Sequence, residues 1–409
     1  MKLRQAAVWM FMAILVFGLF VFAMVNGGFI PWFLLYLTVF LVLYEAFTVF
    51  FTLRDLNVTR TLEAHRRTAG QSIAVRVKAV RRSFWPVLWI RFQESIPQTL
   101  LFHQSHKIDA LAPLWQSTFH FEYTLHDLPR GVHTLANAQF VSGDIFGLFR
   151  LSHTIAQKDS ILVYPKIVQV AGWSGRVPED YGHRQATRKR AEESSNVLGV
   201  RDYVAGDRLS RIHWPASART GSLKAKEFEL HVTNEMLFVP DVSRYSFNAA
   251  TTNLFELEMT MTASLLKYAY DLRRRFGLTV LGKQVDAQSP GTGQALYFKL
   301  MESLAQAMPD ADVPFSDAVR RLAQEAPLGT MFVILSPTLD QAALLAASAL
   351  CTKGSVEWFV PMSSLHLSDE MRLIAERFQM LGVAIHFIHH PRQLAELNRG
   401  GGARVVVRP

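Results

Sequence analysis

Cysteine is nearly absent from this chain, which holds only Cys351 among its 409 residues. A single cysteine excludes an internal disulfide, and such scarcity suits a reducing compartment. Cys351 ends a run of small apolar residues, so we expect a buried structural thiol rather than a reactive one. Thiol chemistry is therefore not expected.

The motifs of common enzyme classes are also missing. The sequence has no phosphate-loop Gly-Lys-Ser/Thr and no Gly-x-Ser-x-Gly elbow, and Gly291-Thr292-Gly293 lacks the third glycine of the dinucleotide pattern. His386, His389 and His390 suggest zinc. On a strand, however, His386 and His390 would lie about 13 Å apart, too far to share an ion. We expect no catalytic residues, no zinc site and no enzyme activity.

Charged residues are scarce in two long N-terminal stretches, Ala6 to Val25 and Phe29 to Phe51, which contain Glu45 and no basic residue. Each is long enough to span a hydrocarbon core of about 30 Å, which takes roughly 20 apolar residues. A cleaved signal peptide is the alternative for the first stretch, because Lys2 and Arg4 resemble its charged start. The stretch is too long for that, and no small-x-small cleavage site follows it.

We therefore predict a transmembrane hairpin in residues 1–53, with spans at about 6–25 and 29–51. The turn between the spans, residues 26–28, carries no charge, whereas basic residues flank the other ends. The positive-inside rule then places both termini in the cytoplasm, as for an inner-membrane protein. Glu45 is expected either to reach the membrane interface or to pair with another membrane helix.

The net charge of +9 raises the question of nucleic acid. Membrane-proximal arginines and one central segment account for most of that charge, and no basic face rich in aromatic residues is visible. We expect these arginines to contact anionic lipid headgroups and predict no nucleic-acid partner. The arginines that follow the second span are Arg54, Arg60, Arg66 and Arg67.

From residue 57 to 170 the apolar residues alternate with polar ones. Phe119, Phe121 and Tyr123, for example, alternate with His120 and Glu122. Short alternating runs separated by Pro and Gly turns are typical of a β-sandwich domain of roughly 100 residues. A charged linker at residues 171–199 follows.

After residue 235 short apolar runs alternate with helical stretches. This pattern predicts a mostly parallel sheet with helices on both faces, a Rossmann-like α/β domain over residues 236–396, followed by a flexible tail at 397–409. The fold class is thus a membrane-anchored multidomain protein. Its parts are a two-helix transmembrane hairpin, a β-sandwich domain and an α/β domain.

The most unusual stretch lies between these two domains, at residues 200–235, and is called the signature segment below. Alternation of Ile212 and Trp214 with their neighbours, and a turn at Thr220-Gly221, predict a β-hairpin with Trp214 in its core. Four cations would then converge on a surface suited to carboxylates or phosphates. They are Arg211, Arg219, Lys224 and Lys226. The alternative is that these side chains form internal salt bridges with Asp202, Asp207, Glu227 and Glu229.

The signature segment resembles that of the bacterial family catalogued as domain of unknown function 58. The family pattern is Tyr-x-x-Gly-Asp, Arg-x-x-Trp, Ser-Ala-Arg-Thr-Gly-x-Leu and Lys-Glu-Phe-Glu. Its matches include Tyr203, Gly206, Asp207, Arg211, Trp214, Ser217, Thr220, Gly221 and Glu227. The likeness extends upstream to Asp144-Ile145-Phe146-Gly147-Leu148-Phe149. The chain departs from the pattern at His213 and Pro215, where the family often has Asp and Lys.

The resemblance implies that the α/β domain is similar to a von Willebrand factor A domain, whose metal site uses Asp-x-Ser-x-Ser after the first strand. Asp241 and Ser243 supply its first two ligands, but Tyr245 stands at the third position, and Leu335-Ser336-Pro337 lacks the expected aspartate. Two ligands are too few for Mg²⁺, so we expect a degenerate site without metal and no cofactor.

The resemblance also implies a membrane-tethered scaffold, often encoded beside MoxR-type AAA+ ATPases and other von Willebrand factor A proteins. We therefore expect a non-enzymatic adaptor or assembly factor that works with such an ATPase on envelope or other protein complexes. The alternative is a cryptic enzyme or ligand-binding receptor that acts on cell-envelope precursors at the cytoplasmic face of the membrane.

Overall fold

The computed structural model describes residues 2–94, 96–101, 110–173, 197–204, 209–228, 235–248, 251–364 and 367–397. The chain divides into two compact units, Met1–Tyr164 and Pro165–Pro409. Most of the predicted linker, the signature residues Gly206 and Asp207, and nearly all of the predicted tail lie outside the described residues.

Two apolar helices begin the first unit, α1 (Lys2–Asn26) and α2 (Phe29–Phe51). Gly27 and Gly28 between them have φ values of 61° and 81°, a left-handed conformation that glycine adopts without steric cost. Most of the apolar side chains on both helices are exposed. By length and composition both helices could span a membrane.

The rest of the first unit is β-structure. Its strands are β1 (Leu56–Leu62), β2 (Arg66–Thr68), β3 (Ile73–Arg81), β4 (Ile90–Glu94), β5 (Ala110–Leu111), β6 (Thr118–Leu125), β7 (Gly131–Gly143) and β8 (Arg150–Tyr164), with a short helix α3 (Gln98–Leu101) after β4. One sheet has the order β1-β3-β6 and the other β2-β8-β7-β4-β5. All described pairings are antiparallel except that of β2 with β8.

Apolar residues of both sheets form one core. On β3 the buried residues Ile73, Val75 and Val77 alternate with partly or fully exposed ones, as a half-buried strand requires. Phe121 of the smaller sheet stacks on Phe92 of the larger one, with ring centroids 5.1 Å apart. The periodicity of two seen in the sequence thus marks which side chains face this core.

Arg60 is the exception to the apolar content of this core. Its β1 position, four residues after buried Leu56, points inward, and its side chain is 2% exposed. One guanidinium nitrogen donates to the carbonyl oxygen of Leu135 at 3.1 Å and to Asp159 Oδ2 at 3.0 Å, and the other pairs with Glu94. The prediction that Arg60 contacts lipid headgroups is wrong, because inward alternation on β1 places it between the two sheets.

Glu45 of α2 is also buried, at 1% exposure, and lies against Asp144, which follows β7. The expectation that Glu45 extends to the water interface is therefore wrong. The side chain packs within the first unit because the loop after β7 covers this part of the helix. The alternative, pairing with another membrane helix, stays a prediction.

The second unit is built on a six-stranded sheet. Its strands are β11 (Glu235–Pro240), β12 (Arg275–Leu281), β13 (Val285–Gly291), β14 (Met331–Leu335), β15 (Val356–Pro361) and β16 (Ala384–Ile388), in the order β13-β12-β11-β14-β15-β16. Only β13, at one edge, is antiparallel to its neighbour. A separate antiparallel pair joins β9 (Val197–Asp202) to β10 (Lys224–Phe228).

Helices cover both faces of the six-stranded sheet. They are α5 (Thr252–Asp271), α6 (Gln294–Gln306), α7 (Phe315–Glu325), α8 (Gln341–Cys351) and α9 (Asp369–Met380). The short helix α4 (Trp214–Thr220) packs on β10 of the separate strand pair. Leu237 and Val239 of β11 face a core shared with α7, α8 and α9. Phe238, which alternates with them, faces the side of Trp173, which in turn packs on Tyr268 of α5. Because five strands of the sheet are parallel, their carboxyl ends lie along the same edge of the sheet.

His386, considered above as a zinc ligand, belongs to a cluster on β15 and β16. Its ring stacks on Phe359 with centroids 4.5 Å apart, and its Nε2 lies 3.1 Å from Glu357 Oε2. Trp173 Nε1 donates to the same carboxylate oxygen at 2.7 Å. Glu357 thus holds a histidine and a tryptophan on one face of the sheet.

Candidate functional site

The carboxyl end of β11 carries the Asp-x-Ser pair that the sequence singles out. Asp241 is fully buried, and its Oδ1 accepts a hydrogen bond from the backbone N–H of Ser243 at 2.8 Å. Its Oδ2 accepts from the hydroxyl of Ser336, which directly follows β14, at 2.7 Å. Because β11 and β14 are adjacent parallel strands, these side chains meet at one edge of the sheet.

A second carboxyl group, Glu258 of α5, lies beneath this edge. Its Oε1 accepts the backbone N–H of Asp241 at 2.6 Å, and the residue has no exposed surface. Within the described part of the chain, no hydrogen-bond partner meets its other oxygen, Oε2. A buried oxygen without a partner carries a desolvation penalty of about 1–3 kcal/mol, so the edge includes a strained polar group.

Burial raises the pKa values of both acids. The pKa of Asp241 rises from 3.8 to about 6, chiefly because its carboxylate is desolvated, although hydrogen bonds from Ser246, Ser243 and Ser336 oppose the rise. The pKa of Glu258 also rises well above its ordinary value, first through desolvation and then through the negative charge of Asp241. Asp241 and Glu258 therefore bind protons at higher pH than an ordinary aspartate and glutamate do.

The residues at this edge do not fit a Mg²⁺ site. Both oxygens of Asp241 are already engaged, and the Ser243 hydroxyl donates to the carbonyl oxygen of Val313 at 2.8 Å. The ring of Tyr245, at the expected third ligand position, is exposed. Among the described residues, no group of three or more His, Cys, Asp or Glu side chains could hold a metal. The absence of a metal cofactor remains a prediction.

The signature segment differs from its predicted hairpin. Residues 214–220 form the helix α4 and Leu209–Arg211 a 3₁₀ turn, so Ile212 and Trp214 do not belong to one strand. The two strands present are β9 and β10, in which Lys224 pairs with Asp202 and Lys226 with Val200. Thr220-Gly221 is not a hairpin turn. Gly221 caps α4 with φ 67°, and its N–H donates to the carbonyl oxygen of Ser217 at 3.0 Å.

Short side-chain hydrogen bonds explain the helix. The Nδ1 of His213 accepts the N–H of Ala216 at 3.1 Å and so caps the first turn, where Pro215 suits the early helical positions. The Ser217 hydroxyl donates to the carbonyl oxygen of His213 and accepts the N–H of Lys224 at 2.9 Å. Ser217 is buried and thereby joins α4 to β10. The signature residues Ser217 and Gly221, and the departing residue His213, thus hydrogen-bond to the backbone and stabilise the helix.

The four predicted cations lie on three different elements. Lys224 and Lys226 share a face of β10, two positions apart, whereas Arg219 is exposed in the last turn of α4 and Arg211 ends the 3₁₀ turn. Lys224 Nζ forms an ion pair with Asp202 Oδ1. For this residue the structure agrees with the alternative prediction, an internal salt bridge. The recognition role of these cations stays a prediction.

Trp214 is exposed, at 64%, and does not belong to a core. The prediction that it stabilises the segment by burial is wrong because the first turn of α4 turns it outward. Leu209 at 72% and Val204 at 61% are similarly exposed, as is Leu223. Backbone hydrogen bonds from Tyr203 to Leu223, from His213 to Lys224 and from Ile212 to Leu209 join the short stretches that carry these four residues. These four residues, Val204, Leu209, Trp214 and Leu223, are called the signature patch below.

Two apolar N-terminal helices, a β-rich unit and an α/β unit with a signature segment define a multidomain protein with a candidate membrane anchor. Residues 199–361 match the family described as "Protein of unknown function DUF58". The chain therefore contains a region that matches the model of this family over about two fifths of its length. It is similar to "Uncharacterized protein YeaD" of Bacillus subtilis strain 168, with 26% identity over 315 residues that cover 76% of this chain and 77% of the relative.

Solved structures show weaker likeness. The bacterial hydrophobin BslA aligns with 27% of this chain and 99% of its own at 9% identity and a TM-score of 0.18. The RO (RSR) protein of Deinococcus radiodurans aligns with 55% of this chain and 50% of its own at 14% identity and a TM-score of 0.24. Scores this low carry no argument about fold or function.

Reasoning from sequence missed Glu258 and the role of Ser336. Glu258 is 17 residues from Asp241, and only its position within a helix rich in apolar residues distinguishes it from other acids. Ser336 occupies the position where an aspartate was expected, and it instead donates to Asp241.

Proposed function

We propose that the protein is a membrane-tethered scaffold or adaptor on the cytoplasmic face of a bacterial inner membrane. The observation that carries the proposal is the signature patch, in which the tryptophan and three aliphatic residues are exposed beside Arg219, Lys224 and Lys226. Tryptophan and arginine are enriched among the residues that dominate binding energy at protein interfaces. Exposed large apolar groups in a family signature therefore favour a docking role.

The fold supports a scaffold with two parts. The two sheets of the first unit share one core, which favours a β-sandwich. The second unit alternates strands and helices around a sheet of five parallel strands, which favours a von Willebrand factor A-like domain. We infer that neither part performs catalysis and that neither needs a cofactor.

The partner we propose is a MoxR-type AAA+ ATPase, as the family resemblance implies, with other von Willebrand factor A-like proteins as further partners. Arg219 and Lys226 would face acidic side chains of the partner, while Trp214 and Leu209 would fill an apolar pocket. Complementary charges at the rim accelerate encounter, and the buried apolar contacts supply most of the affinity.

Trp214→Ala should leave the fold intact and weaken capture of a purified MoxR-type ATPase from the same organism. The side chain is 64% exposed, so we expect the free energy of unfolding to change by less than about 0.5 kcal/mol. A hot-spot tryptophan contributes about 2 kcal/mol or more, a loss of about 30-fold or more in affinity. Binding to the full-length protein in nanodiscs, measured by interferometry, tests this.

Leu373→Ala is the matched control, because Leu373 is 52% exposed on α9 in the same unit but outside the signature segment. It should bind as the wild type does. Reversing both charges, Lys224→Glu with Lys226→Glu, should also weaken capture, and wild-type binding should decline with salt. Undiminished capture by the Trp214 and double-lysine variants would remove the docking role.

We also propose that both termini are cytoplasmic, because basic residues flank the outer ends of α1 and α2 and the turn between them has none. A fluorescent-protein fusion after Pro409 should fluoresce, and an alkaline phosphatase fusion at the same point should be inactive. A phosphatase fusion at Gly27 is the control and should be active. The opposite pattern would reverse the topology.

A further inference from the structure

Six large apolar side chains of the β-rich unit are exposed beside the two apolar helices. They come from three loops: the one after β3, the one before β6 and the one after β7. Their exposed fractions range from 39% to 71%. These residues, Phe84, Leu114, Trp115, Ile145, Phe146 and Leu148, are called the apolar rim below.

The rim is continuous with the helix surface. Phe84 packs on Phe51, the last residue of α2, with ring centroids 5.2 Å apart. Phe146 meets Tyr44 of α2 edge to face at 6.5 Å. Trp85, next to Phe84, stacks on Phe47 at 5.3 Å. The rim therefore extends an apolar surface that begins on α2.

These contacts show how far along the helices α1 and α2 the loop after β7 lies. Tyr44 lies seven residues before Phe51, about 10 Å along the helix axis at 1.5 Å per residue. Phe149, in the loop after β7, packs on Trp9 of the antiparallel helix α1, with ring centroids 4.9 Å apart. Trp9 lies seven residues after Lys2, the first residue of α1, which is again about 10 Å along the helix axis. Both helices thus meet this loop at the same depth inside their outer ends.

The backbone of this loop is suited to an apolar environment. Asp144 is buried, and its carboxylate accepts the N–H groups of Leu148 at 3.1 Å and Phe149 at 2.7 Å. Gly147 takes the left-handed conformation at φ 69°, which completes the tight turn. Backbone groups satisfied in this way lower the cost of leaving water, while Ile145 and Phe146 point outward.

A buried arginine hydrogen-bonds to the backbone of the second loop of the rim, the one before β6. Arg81 is 2% exposed and donates to three carbonyl oxygens, those of Gln116 at 3.1 Å, Leu114 at 2.8 Å and Trp85. Leu114 has φ 50°, a strained value for leucine. The fold thus sustains strain where Trp115 is 71% exposed, which indicates a role for that exposure.

Charge around the rim complements an anionic bilayer. Arg54, Arg82 and Arg150 are exposed close in sequence to Phe51, Phe84 and Phe149, although Arg54 also forms an ion pair with exposed Asp55 at 3.8 Å. The one acid of the loop after β7, Asp144, is buried. Tryptophan and phenylalanine flanked by arginine are typical of segments at the headgroup level. If α1 and α2 span a bilayer, that bilayer lies next to the apolar rim, so its lipids are the partner that we assign to the rim.

We propose that the apolar rim inserts into the boundary between headgroups and acyl chains of the membrane that α1 and α2 span. The β-rich unit then rests on the bilayer at a fixed height instead of hanging from a flexible tether. This inference depends on the membrane anchoring proposed above.

The test uses a nitrobenzoxadiazole label on single cysteines, introduced into the full-length chain after Cys351→Ser. Ile145→Cys and Trp115→Cys probe the rim. Val132→Cys is the matched control, since Val132 is 51% exposed and lies eleven residues before Gly143 on β7, roughly 36 Å away along the strand. The protein is reconstituted into vesicles of phosphatidylethanolamine and phosphatidylglycerol, with or without lipids that carry a nitroxide at carbon 5.

We expect the nitroxide lipid to remove most of the fluorescence of the labels at 145 and 115 and to leave that at 132 unchanged. Resistance to alkaline carbonate extraction reports on the anchor separately. A resistant protein whose rim labels stay bright would overturn the inference alone, and a rim covered by a second copy or another protein would give that result. A protein that alkali extracts would overturn the anchoring and the inference together. Equal quenching at 132 would also contradict a specific rim.

Discussion

Arg60→Met should destabilise the β-rich unit by about 3–5 kcal/mol, the usual cost of removing one partner of a buried ion pair. The substitution leaves the buried Glu94 side chain and the partly buried Asp159 side chain without their shared cation. Tyr123 donates a hydrogen bond to Glu94, and burial together with that negative charge raises the pKa of the phenol, so the phenol stays neutral and does not compensate the charge of Glu94. Hydrogen exchange at the amides of β4 and β7 in nanodiscs measures the loss.

Arg76→Met is the matched control, because Arg76 on β3 pairs with Glu122 at the surface, where both side chains are more than half exposed. Exposed pairs contribute about 0.2–1 kcal/mol, so this variant should exchange nearly as the wild type does. Adding Glu94→Met to Arg60→Met should restore part of the stability, because it removes one uncompensated charge. Equal exchange in the Arg60 and Arg76 variants would show that the buried network is not a brace.

The α/β unit should lose stability as the pH rises from about 4 to about 7, and Glu258→Gln should reduce that loss. The pKa of Asp241 is raised to about 6 and that of Glu258 is also raised. Between the unfolded and the folded pKa, the folded state therefore binds more protons, and stability falls with rising pH. For Asp241 alone the fall is on the order of 3 kcal/mol, at 1.36 kcal/mol per pKa unit.

The measurement is the protection of the β11 amides against hydrogen exchange at several pH values, corrected for intrinsic rates. Glu258→Gln removes one titrating group and keeps an oxygen to accept the N–H of Asp241. Adding Asp241→Asn should abolish most of the remaining pH dependence. Glu325→Gln changes an exposed acid at the end of α7 and should have no effect. A wild-type unit whose protection is constant from pH 4 to 7 would refute the assignment.

The elements with strong hydrophobic patterns were predictable. The two apolar runs coincide with α1 and α2, and the apolar runs at 236–240, 331–335, 356–360 and 384–388 with strands β11, β14, β15 and β16. A long run or a short run bounded by polar residues carries its own signal. Arg60 could not be placed, because its position faces inward only once the sheets are paired, and a charged residue is seldom buried.

The signature segment was misread because local capping overrides its alternation. Seven residues form α4 with a histidine cap, Pro215 near its start and Gly221 just past its end. That order of proline and glycine is the usual mark of a short helix, and it was present in the sequence. Exposure of Trp214 was not readable, since a tryptophan next to apolar residues more often belongs to a core.

The candidate site at the sheet edge was half predictable. Asp241 and Ser243 follow from a local motif, but Glu258 enters only through the packing of α5 on β11. The consequence is visible in the chemistry: the sequence suggests an incomplete metal site, whereas the folded unit presents a pair of buried acids hydrogen-bonded to hydroxyl and amide groups.

Strand β11 lies in the middle of its sheet but is synthesised well before one of its neighbours. About 90 residues separate its end at Pro240 from Met331, where β14 begins. At a translation rate of roughly 5–20 residues per second, the edge of β11 that pairs with β14 stays open for about 5–18 s on the ribosome. Its sequence, Met236-Leu237-Phe238-Val239, is an apolar strand with a free edge during that interval. We therefore expect that the nascent chain must be shielded until β14, the third parallel strand, emerges.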